Sequence, residues 1–584
     1  MKNYLSGFRA AFNREESNDS DDQRQSCLDI NLPRLGGKPK NLDLNPGKLH
    51  VHLSSYDLEK TQQIQEALKY LNQLNKVELK PHIRNELNST ILACTGKSIA
   101  FVYRKYLTRG SSFPENNERK TVLTTTILFL QALILSYKYV VVNDYNLPLR
   151  KFNQYHGRVR DTSIRIFELT LWLQRMLAIR FQKLSEQDWH DINSLFTVLA
   201  NMLDIEEPQQ LSDDLALYKS SGVLSEKNYL RSISSMFVSI QIFGLLDISS
   251  WPSSSIQIIE KYLAKHENLL AITLDETTDK GSDFVVTYSS QKTPPVFNEK
   301  ETSFPGCYID ISALKKQAEK DLEEVRRKNF IRESEKKRLQ PHGNIENLAD
   351  NEGLLDLFHK NLLNLQREDE RKTLYGGGVV DIYSGIAACY RLIYNLLNKG
   401  NSGESEEGES FMDAAARHSS LLVERESDVL ECQWRIINES NGGILVRTVE
   451  TRYMHVMEVG QLVSIKPDSA EENAVPQLGF ITRLDRLSTG EVDVAIVKIS
   501  TTAEAATIME PGKNISSQEM LPGILIRDLD NHWQLILPRH VKYITGAPVV
   551  IKRNNESLPV RLGDIVLSKT GFVLFDVRSP GLST

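Results

Sequence analysis

Between Trp434 and Val446 the chain reads WRIINESNGGILV. An apolar, β-prone run is broken at Asn438-Glu-Ser440-Asn-Gly442-Gly443, and a second β-prone run leaves it. The pattern predicts two strands joined by a tight turn. Adjacent glycines allow backbone conformations that a Cβ resists. Asn438 and Ser440 put short polar side chains on the shoulder of the turn, where they fold back on the backbone or reach a ligand. This hairpin constrains the fold of the residues C-terminal to it. Gly443–Glu450, Val459–Lys466, Leu478–Arg486 and Gly490–Ser500 alternate and are rich in β-branched residues, as antiparallel neighbours in a barrel or sandwich do.

A second β module comprises GILIRDL, WQLILPRHV, GAPVVIKRN, VRLGDIVLS and GFVLFDV. It partly echoes the first. Gly460–Lys466 aligns with Gly546–Lys552 at an offset of 86, and Leu478–Ile481 with Leu562–Ile565 at an offset of 84. These offsets point to a duplicated barrel. The second copy has no counterpart of the Asn438–Gly443 turn and is not expected to bind a ligand there.

The N-terminal half has a different period. Leu58, Ile64, Leu68, Leu71 and Leu74 fall near helical spacing, and similar patterns cover 87–107, 122–142, 164–184, 189–203, 228–246 and 256–267. Thr121–Val142 is long enough to span a bilayer, but its threonines, Gln131, Ser136 and Lys138 favour a helix buried in a helical domain. The fold class is therefore α+β multidomain: an all-α N-terminal domain followed by two small antiparallel β-barrels. The expected divisions are a disordered acidic arm at 1–50, a helical domain at 51–267 and a mixed β segment with a long charged helix at 268–352. The first barrel is expected at 353–505, with an inserted helix and acidic loop at about 384–416, and the second at 515–584. The charged helix after Ile311 lacks a sustained apolar heptad, so it reads as a solvated linker, with a homo-oligomer seam as the alternative.

The totals limit the chemistry. Across 584 residues the net charge is −6 and the pI about 6.1, which argues against general binding to DNA or RNA. The five cysteines are scattered, with no C-x-x-C pair, which points to a reducing compartment and away from a disulfide framework or zinc site. His156, His190 and His266 have no metal-ligand spacing around them. No phosphate-binding loop, nucleophile motif or dinucleotide glycine pattern is present, so no enzymatic activity or cofactor is expected. The first residues lack the long apolar core of a secretory signal.

Asn438, Ser440 and Gly443, in the order Asn-x-Ser-x-x-Gly, resemble the signature of the PilZ family of small β-barrels, many of which bind cyclic di-GMP. The strand beginning near Gly479, with Arg483 and the following Gly490-Glu-Val, is similar to the later part of the family pattern. The resemblance covers roughly residues 360–500. It implies a bacterial, cytoplasmic second-messenger receptor that binds cyclic di-GMP and signals to a protein partner through the helical domain. The alternative is a degenerate scaffold without nucleotide.

The family also has two arginines, four apart, just before the first barrel strand. Arg367 and Arg371 have that spacing. Their planar guanidiniums would grip phosphates and stack on guanines. The implied ligand-binding set is Arg367, Arg371, Asn438, Ser440, Gly442 and Gly443. Asn438 lies 67 positions after Arg371, which requires an insertion, and Glu368, Asp369 and Glu370 separate the two arginines. Two alternatives stay open: Arg417 as the clamp, with Ser419–Glu426 as first strand in place of Val379–Tyr383, or Arg367 and Arg371 as helix-end residues paired with nearby carboxylates.

Overall fold

The computed structural model describes residues 28–37, 42–107, 117–147, 149–202, 205, 209–210, 230–251, 253–273, 283–298, 306–334, 348, 352–363, 372–373, 378–398, 433–440, 442–449, 457–467, 476–487, 489–500, 502–509, 521–527, 532–539, 543, 545–553, 556–569 and 571–578.

The helical half comprises α1 (Pro46–Ser54), α2 (Lys60–Leu74), α3 (Pro81–Leu107), α4 (Asn117–Tyr145), α5 (Leu149–Ile179), α6 (Glu186–Met202), α7 (Ile233–Leu245) and α8 (Ser253–Lys265). One apolar core joins them, including Leu71, Leu87, Phe129, Leu133, Phe167, Phe196 and Phe237. Helix α4 contains the stretch long and apolar enough to cross a membrane. Here Leu123, Phe129, Leu130, Leu133 and Val140 are all buried in protein.

Two expectations for residues 1–74 need correction. The arm does not extend to residue 50. Asn45 accepts a hydrogen bond from the Lys48 N–H, Pro46 sits at the first helical position, and α1 buries Leu49 and Leu53. Ile30 is also buried in the helical core. The acidic run at Glu15–Asp22 lies outside the described residues. Leu58, read as the start of the α2 periodicity, precedes that helix and is fully exposed.

Strands Ala271–Thr273, Cys307–Asp310, Phe284–Thr287 and Val296–Phe297 form, in that spatial order, an antiparallel sheet. It packs Val285, Cys307 and Ile309 on the helical core. The charged helix α9 (Ser312–Ser334) is not solvated all round. Leu314, Ala318, Leu322 and Val325 make a buried stripe, facing α10 (Glu352–Leu362) with its buried Leu355, Phe358 and Leu362. The stripe is only four residues long within a run of charges, so the flanking charges masked it.

Two closed barrels complete the chain. The first is built from β1 (Val379–Ser384), β2 (Gln433–Ser440), β3 (Gly443–Val449), β4 (Leu462–Pro467), β5 (Gln477–Arg486) and β6 (Glu491–Ser500). Its cyclic order is β1-β2-β3-β6-β5-β4, every pairing antiparallel. The second comprises β7 (Ala503–Met509), β8 (Leu521–Arg527), β9 (Trp533–Pro538), β10 (Pro548–Arg553), β11 (Glu556–Ser568) and β12 (Phe572–Arg578). Its order, β7-β8-β9-β12-β11-β10, repeats the first strand for strand.

The duplication has a local signature. Gly460 and Gly546 both have positive φ. The Gly460 N–H donates to the Ile481 carbonyl, and the Gly546 N–H to that of Leu562. This places Ile481, not Leu478, opposite Leu562 in the alignment of the copies. The second barrel also starts earlier than 515. Its first strand is the alanine-rich AEAATIM segment at 503–509, whose opening Ala-Glu-Ala-Ala carries little β propensity.

Helix α11 (Ile386–Asn398) is the insertion between β1 and β2. Ile386, Cys389, Tyr390, Ile393 and Tyr394 form one apolar stripe at helical spacing. It packs with Leu462, Leu478 and Phe480 of the first barrel and Ala503, Ala505, Ile524, Ile526, Ile536, Phe572 and Leu574 of the second. The inserted helix is thus a wedge shared by both barrels. The acidic loop after it lies outside the described residues.

Candidate ligand-binding turn on the first barrel

Asn438, Ser440, Gly442 and Gly443 come together at the β2–β3 hairpin. Ser440 pairs with Gly443, Glu439 with Ile444 and Asn438 with Leu445. The register then slips, and Ile437 has no opposite residue. A bulge of this kind re-aims the side chains beyond it. Ile444 and Val446 belong to the barrel core, so by strand alternation Glu439 faces inward at the rim, and Asn438 and Ser440 face outward.

Each motif residue has a distinct local role. Gly443 is required for space: a Cβ there would lie 2.7 Å from the Ile496 carbonyl oxygen. Gly442 is exposed at the tip, and its carbonyl accepts the Lys498 N–H at 3.0 Å. The Ser440 hydroxyl donates across the turn to the Gly443 carbonyl at 3.4 Å. That hydroxyl is already engaged in holding the hairpin. Asn438 is half-buried, and among the described residues its side chain has no hydrogen-bond partner.

Arg367, Arg371 and Arg417 lie outside the described residues. The backbone next to one of them does not. Lys372–Thr373 forms a short antiparallel strand on β2, with Lys372 opposite Glu439 and Thr373 opposite Asn438. The segment just after Arg371 therefore lies along the motif. Val379–Ser384 supplies the barrel strand that comes after it; Ser419–Glu426 lies outside the described residues.

Lys498 is a residue that the motif pattern missed. From β6 its Nζ reaches Glu439 Oε1 at 2.5 Å and the Ser440 carbonyl at 3.4 Å. Alternation with the inward-facing Val492, Val494 and Ile496 puts Lys498 on the inner side of β6, but nothing local in the sequence ties it to a hairpin more than fifty residues away. Two further cations on this barrel are balanced. Arg447 makes a two-pronged contact with Asp493 at 2.5 and 2.8 Å, which holds its guanidinium above its ordinary pKa. Arg435 lies 3.6 Å from Glu491. Arg483, part of the resemblance, pairs with Asp485 at 2.8 Å.

Beyond the opposite rim, the helical half enters the barrel. Phe181 is buried in the barrel core, and its carbonyl accepts the Arg486 N–H at 3.0 Å. Lys183 bridges Asp247 at 2.8 Å and Asp485 at 3.5 Å. Among the described residues no group of three or more His, Cys, Asp or Glu side chains is placed to hold a metal ion. His190 instead sits beside Asp29 and Asp191, and His266 against the Tyr262 ring. Comparison of the chain with protein-family models, with curated proteins and with solved structures finds no match.

Proposed function

We propose that the chain is a bacterial cytoplasmic receptor for cyclic di-GMP, bound on the outer face of the β2–β3 hairpin. The observation that carries this reading is the pairing of Lys372–Thr373 with Glu439–Asn438. It brings the backbone beside Arg371 to the motif despite the intervening residues. In this reading Arg367 and Arg371 grip the phosphates and stack on the bases. Asn438 supplies an amide to a guanine or phosphate edge, Ser440 shapes the turn, and Gly442 and Gly443 allow close approach. No catalytic step or cofactor is assigned. Binding would bias the barrel's contact with the helical domain at Phe181 and Lys183, a shift driven by differential contacts. Output to a protein partner through the helical domain belongs to the same proposal.

A second reading keeps the barrel without the nucleotide, as a scaffold. It is favoured by the Ser440 hydroxyl and Lys498 already having partners within the protein. Calorimetric titration with cyclic di-GMP separates the two. The receptor reading expects micromolar binding that is lost in Arg367→Ala and in Arg371→Ala. Binding that survives both but fails in Arg417→Ala relocates the clamp. No heat with any cyclic dinucleotide leaves the scaffold.

A further inference from the structure

Lys498 holds the hairpin tip at three points. Its N–H bonds the Gly442 carbonyl, and its Nζ bonds both the Ser440 carbonyl and the Glu439 carboxylate. The Lys498 side chain is only 13% exposed and that of Glu439 37%, so the pair is partly shielded from solvent and its charge is felt nearby. It lies on the inward side of β2, while Asn438 and Ser440 face outward. Neither Lys498 nor Glu439 is therefore placed to touch a ligand on the outer face. Both nevertheless control that face, one by geometry and the other by charge. A turn fixed before binding loses less freedom when the ligand arrives. A cation beneath it favours a dianion, and a neighbouring carboxylate cancels that cation.

We propose that Lys498 is a positioning residue for cyclic di-GMP, and that Glu439 restrains affinity by neutralising it; this rests on the receptor reading above. The two halves of one ion pair then have opposite effects. In Glu439→Gln the amide oxygen still accepts from Lys498 Nζ, so the turn keeps its shape while one negative charge disappears. In Lys498→Met the Nζ bonds go and the Glu439 carboxylate is left uncompensated beside the turn. A purely structural ion pair would make both changes harmful in the same direction.

The test is calorimetric titration of the full chain and its variants with cyclic di-GMP at two salt concentrations. Glu439→Gln is expected to bind about three- to tenfold tighter than wild type, with steeper salt dependence. Lys498→Met is expected to bind about tenfold or more weaker, with Lys498→Arg recovering most of the loss. If wild type binds but Glu439→Gln weakens binding, or neither change moves it, this inference is overturned and the receptor reading stands. If neither wild type nor Glu439→Gln binds any cyclic dinucleotide, both fall together. Binding that emerges only in Glu439→Gln supports the restraint.

Discussion

Phe181 has φ 57°, the left-handed conformation that usually falls to glycine at a helix C-terminus. The Phe181 N–H bonds the Ala178 carbonyl and the Gln182 N–H that of Leu177, which is the hydrogen-bond pair of a Schellman ending. A phenylalanine tolerates the strain because its ring fills the first barrel's core. Phe181→Ala should destabilise the protein by about 3–5 kcal/mol. Phe181→Gly should be no less stable than Phe181→Ala, against the usual order, because glycine relieves the left-handed strain. Urea denaturation of both variants checks this, and a glycine variant clearly below the alanine one would refute it. Asp485 stands at the same junction. Burial raises its carboxyl above the ordinary range, and Asp247 adds to that, while Lys183 and Arg483 oppose it. The folded protein thus holds this proton more tightly than the unfolded chain. Asp485 therefore removes stability as pH climbs from the ordinary carboxylate pKa through the folded one. Asp485→Asn should gain on wild type in melting temperature as pH goes from about 4 to 7. A gap that narrows over that range would count against the assignment.

At the scale of elements, patterns were legible where one face of a segment decides its place. Strands β8 to β12 alternate or run apolar between turn residues, and α11 has a clean apolar stripe; each is readable from sequence. Strand β7 is not, because Ala503, Ala505 and Ala506 are small rather than β-branched. They are buried because α11 and the barrel core close on them from either side. The motif was legible in the same limited sense. Asn438, Ser440 and the glycines sit next to one another in sequence, whereas Lys498 reaches them only through β3–β6 pairing. Helix α11 also makes a chemical prediction. Burial pushes the Cys389 thiol up to about 12, and its Sγ donates to the Tyr383 carbonyl at 3.5 Å. In the folded protein Cys389 should resist iodoacetamide at pH 8, because the thiolate is the reactive form. Half-buried Cys94 provides an internal comparison. Mass spectrometry of labelled peptides should find Cys389 modified only under denaturing conditions. Rapid native labelling would mean that α11 does not stay between the barrels.

For the whole molecule, the wedge matters more than either barrel alone. The outward faces of β4, β5, β7, β8 and β12 share one apolar cluster with α11. The Phe480 and Phe572 ring centroids lie 6.2 Å apart, and the Gly571 N–H bonds the Gly460 carbonyl at 3.2 Å. Separating the barrels would expose that surface on both sides, and apolar burial is the main stabilising term available to small β domains. The barrels should therefore unfold as one cooperative unit despite being topological copies. Scanning calorimetry should assign both to a single endotherm, with equal van't Hoff and calorimetric enthalpies for that transition. Combining Tyr390→Ala with Ile393→Ala empties the centre of the wedge, removing about 2–5 kcal/mol at each site. The barrel endotherm should then split, while the secondary structure of each barrel persists by circular dichroism at low temperature. Two resolved barrel transitions in wild type would show that the wedge does not couple them, and the duplicated barrels would then have to be treated as independent domains.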